Sequence, residues 1–223
     1  MKRQYYIVSL VLMLLSNRVL FDGARLFNAG LRHWDLSLPV DAGIPFLPWM
    51  ILVYAGCNVW WFYVYWLITQ RDRTDANRFF GANLLAKAVC FLIFVILPAS
   101  VTRPELGGNG IWIGMLRILY ALDKPDNTFP SVHCLLGWIC WIGIRGKKDV
   151  PLLCRAASLL MALAVCFSTL AVRQHVLLDV PAGILLSELC YWIAGSEKFL
   201  CSYSAFIDKL MIGTNRIKEK LMI

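Results

Sequence analysis

Six apolar stretches joined by short polar segments dominate this 223-residue chain. They run near Tyr5–Phe21, Pro45–Ile68, Phe79–Val101, Pro130–Ile144, Val150–Val172 and His175–Ala194. Each is judged against the roughly 20 apolar residues that carry a helix across a bilayer core. In hydrocarbon only a helix or a closed barrel satisfies its own backbone. The pattern therefore predicts an all-α, polytopic membrane bundle of about six transmembrane helices. The composition agrees, with 59% hydrophobic and only 16% charged residues, where soluble domains carry about a quarter charged. The first and fourth stretches are the shortest. Pro151 stands where a first helical turn tolerates it, and Pro181 falls early in the last span, at a kink position.

Basic residues orient the bundle. Met1-Lys2-Arg3 ahead of an apolar run imitates a secretory leader, but no small-x-small cleavage site follows, so this stretch is expected to stay as the first span. With the amino terminus inside, the inner segments hold fourteen of the 22 basic residues and the outer segments seven. That bias predicts both termini in the cytoplasm, with His133 and His175 together on the outer face of the cell membrane. The net charge of +8 then reads as topology and attraction to anionic lipid, not as nucleic-acid binding. Of the eight cysteines all but Cys201 fall in predicted spans, where cysteine packs as a small apolar residue. Lys87 and Glu188, both within spans, are placed to pair across the bundle. Gly107-Gly108-Asn109-Gly110 leads into a ten-residue apolar segment, 111–120, suited to the interface as an anchor or a lid. The chain reads as one integral-membrane domain, 1–223, with a catalytic core over about 79–194 and a cytoplasmic amphipathic tail over 196–223.

Against this background two histidines are conspicuous, because ionisable groups in apolar spans are kept for a partner or a task. His175 precedes Asp179 by four residues, a spacing that shares one helix face. The carboxylate then takes one ring N–H and leaves the other nitrogen as a nucleophile. A structural ion pair capping a helix fits the same residues. Pro130-Ser131-Val132-His133 follows Asp126-Asn127-Thr128, a run of helix-start residues. The free amides of a helix amino terminus suit a phosphate. Ser131 adds a hydroxyl, and His133 stands where it can protonate a leaving oxygen. An ordinary capped helix with an incidental histidine is the alternative.

Pro-Ser-x-His followed some forty residues later by His-x-x-x-Asp resembles the type-2 phosphatidic acid phosphatase and vanadium haloperoxidase superfamily. The likeness covers roughly Thr102 to Val180 and includes Arg103-Pro104, similar to the end of the family's first motif. The resemblance implies six spans with an active site at the outer membrane surface. It also implies metal-independent hydrolysis of a lipid phosphomonoester without a cofactor. In that scheme His175 attacks phosphorus to form a phosphohistidine and Asp179 orients it. His133 protonates the leaving alkoxide, and Ser131 and Arg103 hold phosphate oxygens.

Two positions depart from the family pattern. Ile96 stands where the first motif has Lys, and Ser168-Thr169 stands where the third has Ser-Arg. Arg173 is the nearest replacement cation, with Arg117 and Lys124 as outer-loop candidates more consistent with solvated charges. The Ser-Thr form is closer to the sphingomyelin and inositol phosphorylceramide synthases, which implies headgroup transfer between lipids as the alternative to hydrolysis. A catalytically silent membrane relative is the third reading. The partners expected are a lipid substrate and the bilayer.

Overall fold

The computed structural model describes residues 2–221. About 73% of the chain is helical, and its strands are two residues long. Helix α1 (Lys2–Arg18) passes through a π-helical turn, Val19–Gly23, into α2 (Ala24–Asn28). After a loop held by 3-10 turns at Pro39–Gly43 and Pro48–Met50 come α3 (Ile51–Thr69) and α4 (Arg73–Ile96). Then follow α5 (Ile111–Leu122), α6 (Val132–Arg145), α7 (Leu152–Ala171), α8 (Asp179–Ile193) and α9 (Glu197–Leu221). Helix α9 is the segment expected as the tail; residues 222 and 223 of that tail, and Met1, lie outside the described residues.

Among the described residues four rods are long and apolar enough to cross a membrane: Gln4–Asn28, Pro48–Thr69, Arg73–Ile96 and Leu152–Ala171. Helices α6 and α8 have 14 and 15 residues, about 21–23 Å at 1.5 Å per residue. Their bounds have local causes. Ser131 caps α6, its Oγ accepting from Cys134 N at 3.3 Å, and Gly146 ends the helix. Helix α8 begins at Asp179, not at His175, and stops before Gly195. The apolar stretch expected from 175 thus starts as a turn.

The bundle is built around α6, which packs on α7, α8, α3 and α4. Close approach depends on missing side chains. A Cβ on Gly183 would lie 2.6 Å from Ser131 O, and one on Gly143 2.6 Å from Phe79. Small residues at helix crossings serve this purpose where hydrocarbon gives no hydrophobic drive between helices. Large apolar side chains face outward, with Leu26, Ile96 and Leu153 about four-fifths exposed (84%, 79% and 80%). A surface of that kind is compatible with an integral membrane protein.

The two ends of the bundle differ. At one, Arg71 and Lys147 converge on Asp75, Arg71 also meets Asp149, and Arg145 forks onto Glu188 at 2.7 and 2.9 Å. The expected Lys87–Glu188 pair does not form. Glu188 takes Arg145 and Trp138 Nε1, whereas buried Lys87 donates to Met13 O at 3.1 Å and Ser16 Oγ at 3.2 Å. Lys87 finds oxygens on α1, and Glu188 finds a guanidinium on α6.

At the other end the connecting loops are stitched together. Strand β1 (Trp34–Asp35) pairs in parallel with β2 (Ala99–Ser100), in register Trp34↔Ala99 and Asp35↔Ser100. Thr128 N reaches Ala99 O at 3.3 Å, Val101 N reaches Pro125 O at 3.2 Å, and Leu47 N reaches Ala171 O at 3.0 Å. The π-turn gives α2 its own phase. Arg25 grips Asp126 with Nε and Nη2, and Asn28 turns inward on α4. Helix α5 lies over this end on a small core of Met50, Ile51, Tyr54, Leu116, Ala171 and Val172.

Candidate active site

Both histidine motifs meet at the stitched end. His175 Nδ1 lies 2.9 Å from Asp179 Oδ2, and the same oxygen accepts from Val176 N at 3.1 Å. The pair is reached through a turn ahead of α8 rather than along a helix face, because Asp179 folds back to capture the amide three residues before it. Asp179 is fully buried, and its other oxygen, Oδ1, has no partner among the described residues. The backbone joins the two motifs as well, with Ser131 N donating to Asp179 O at 3.1 Å. A carboxylate on Nδ1 fixes the ring's tautomer and turns Nε2 outward with a free lone pair.

His133, in the first turn of α6, is sandwiched by aromatic rings. It stacks on Tyr54 at 4.1 Å between centroids and meets Trp61 at 5.6 Å. Tyr54 is held in turn by Asp123, its hydroxyl donating at 3.1 Å. The rings of His133 and His175 lie 6.4 Å apart, close enough to address one tetrahedral centre from two sides. A narrow cleft of about 20 Å³ runs between them, lined also by Lys124, Asp123, Asn127 and Gln174. That volume holds roughly one water molecule.

The other expected residues are placed as follows. Ser131 is fully buried and caps α6. Arg103 is part-buried. Its Nη2 donates to Gln174 Oε1 and its Nη1 to Tyr120 O at 3.2 Å, while its guanidinium sits 4.4 Å above the Tyr120 ring. Burial draws the guanidinium below its ordinary pKa and nearby Asp123 opposes that shift; arginine still keeps its proton. Arg103 therefore forms a layer behind Gln174. Arg173 turns away from the cleft. It adopts a left-handed backbone (φ 56), and its two terminal nitrogens donate to Asp41 O at 2.8 Å and Ile44 O at 2.6 Å. Arg117 folds onto Leu106 O and Gly108 O, and exposed Lys124 lines the cleft. Thr169, at the position where the resemblance expects Arg, is fully buried, and its carbonyl receives both Gln174 N and His175 N. Among the described residues no three His, Cys, Asp or Glu side chains gather to hold a metal ion.

Three contributors give no sequence signal. Asp41, 132 residues before Arg173 and 136 before Leu177, accepts Leu177 N and the nearby Leu38 N, both at 2.7 Å, and anchors Arg173 through its carbonyl. Asn127 and Gln174 line the cleft while only 2% and 3% exposed. They sit beside the motifs as unremarkable polar residues, and only the fold gives them direction. No family model, curated protein or solved structure matches this chain.

Proposed function

We propose that this protein is a lipid phosphatase of the membrane, hydrolysing a phosphomonoester through a phosphohistidine without a metal or cofactor. The observation that carries the reading is a histidine oriented by a buried aspartate, facing a second, half-buried histidine across one cleft. His175 Nε2 attacks phosphorus, the P–O ester bond breaks, and the alkoxide leaves with a proton from His133. Water then attacks the phosphohistidine, giving its proton to His133, and inorganic phosphate departs. Ser131 Oγ accepts from Cys134 N and keeps its own proton for a phosphate oxygen. Arg103 supplies positive charge from behind Gln174. Lys124, open on the cleft rim, supplies the cation that Arg173, engaged with two carbonyls, does not. Phosphoryl transfer depends chiefly on such positioning and neutralisation.

In this reading α1–α2, α3, α4, α6, α7 and α8 all cross the membrane. Both termini are cytoplasmic, and the histidines face outward at the cell membrane. Transfer of a phospho-headgroup to a lipid alcohol is the second reading, favoured by the buried Thr169 where a phosphate-gripping arginine is expected. The test is turnover by the detergent-purified protein of lipid phosphomonoesters and diester phospholipids, with a chelator present. Free phosphate supports hydrolysis, and a new headgroup-bearing lipid made only with added alcohol supports transfer. No turnover of either kind, with His175→Ala matching the parent, sinks the enzyme reading and leaves a silent relative.

A further inference from the structure

Groups with a single hydrogen-bonding role, a carbonyl that only accepts and a guanidinium that only donates, fix the direction of two buried amides in the cleft. Phe94 O can only accept, so the group Asn28 points at it, at 2.9 Å, is its NH2. The same Asn28 nitrogen reaches Asn127 at 2.8 Å, so the Asn127 atom it meets is Oδ1. Arg103 carries donors only, so the Gln174 atom it meets is Oε1. Neither amide can flip without setting donor against donor. What remains is Asn127 Nδ2 and Gln174 Nε2, both buried and without an acceptor among the described residues. Both residues line the cleft that holds the two histidines. Asn127 sits there at a left-handed φ of 54, a conformation asparagine accepts more readily than other side-chain-bearing residues.

We propose that Asn127 Nδ2 and Gln174 Nε2 are the oxyanion-holding donors of this site, gripping two non-ester oxygens of a bound phosphate group. They do with neutral hydrogen bonds what a pair of cations would otherwise do. A buried donor is costly until an acceptor arrives, so the pair is poised for a ligand rich in acceptor oxygens. The inference rests on the phosphate-ester reading of the site, but binding alone tests it.

Inorganic phosphate is titrated against the detergent-purified full chain by ³¹P line broadening. In parallel, kcat/KM is measured for phosphate release from a dispersed lipid phosphomonoester. Asn127→Gly removes the donor together with the Oδ1 that Asn28 meets, adds no charge and suits the left-handed backbone. Gln174→Glu keeps the acceptor for Arg103 and replaces the NH2 by an oxygen. Each is expected to weaken phosphate binding and lower kcat/KM by roughly tenfold or more, the scale of one hydrogen bond to a charged group. If either fails to fold by its melting curve, Asn127→Asp, which retains the acceptor for Asn28, carries the test with the same expectation. Variants that bind and turn over like the parent overturn the proposal and leave a buried water as the amides' sole partner. A parent that binds phosphate, with the variants weakened, but hydrolyses no ester removes the phosphatase reading and supports this one. A parent that neither binds phosphate nor turns over lipid overturns both.

Discussion

Asp179→Asn gives the sharpest test of how His175, the proposed nucleophile, is held. Asp179 Oδ2 accepts two hydrogen bonds, from His175 Nδ1 at 2.9 Å and Val176 N at 3.1 Å. An asparagine therefore has one workable orientation, with its oxygen in the place of Oδ2. The reverse sets an NH2 against the Val176 N–H. The ring tautomer is kept, and what is lost is the charge of the acceptor as positive charge develops on the attacking imidazole. A hydrogen bond to a charged group exceeds a neutral one by about 1–2 kcal/mol. At 1.36 kcal/mol per tenfold, that is about a 5- to 30-fold loss in rate. The amide NH2 falls where Oδ1 already lacks a partner, so the melting temperature should move by only a few degrees. The assay is phosphate release from a lipid phosphomonoester alongside thermal unfolding in the same detergent. Parent-like activity removes Asp179 from the mechanism. A loss on the order of 10⁴-fold, the size of a wrong tautomer, refutes the claim that Val176 N dictates the amide's direction.

Three further substitutions probe the scaffold. Gly183→Ala should destabilise by about 1–3 kcal/mol, because its Cβ meets backbone, Ser131 O, at 2.6 Å; an unchanged melting temperature refutes the α6–α8 contact. Asp41→Ala strands the Leu38 and Leu177 amides, and at about 1–3 kcal/mol for each buried orphan should lower both stability and kcat; unchanged kcat shows that the His175 turn does not depend on this tether. Lys87→Met should melt at or above the parent temperature and keep full activity, because Ser16 Oγ still satisfies Met13 O at 2.9 Å; lost activity gives Lys87 a role beyond packing.

The parts of the fold legible in the sequence are those with local causes. Four long apolar rods follow from composition, and the start of α6 follows from Pro130-Ser131, a cap read directly from residue type. The sixth stretch shows the limit. The apolar stretch is read from His175, yet α8 waits until Asp179, because the carboxylate folds back onto Val176 N and Asp41 takes Leu177 N. An apolar count cannot register a carboxylate 136 residues upstream. Lys87 and Glu188 fail for a related reason. Opposite charge says that each wants a partner, and only packing says that carbonyls on α1 and a guanidinium on α6 lie nearer.

The site divides along the same line. His133, His175 and Asp179 carry their chemistry in residue type and spacing, so a short window of sequence shows them. The holding of an anion depends instead on direction, and direction here is relayed. The π-turn at 19–23 lets α2 present Asn28 to α4. Phe94 O then orients Asn28, Asn28 orients Asn127, and Arg103 orients Gln174. The Asn28–Asn127 link spans 99 residues and the Arg103–Gln174 link 71. Arg173, the cation nearest His175 in sequence, is turned by its left-handed backbone toward the Asp41 loop. The cation nearest His175 along the chain thus lies off the cleft, and the side chain immediately after it, Gln174, lines the cleft. In the proposed reading a sequence motif names the groups that would make and break bonds, whereas the groups that would hold the substrate are chosen by tertiary hydrogen bonds.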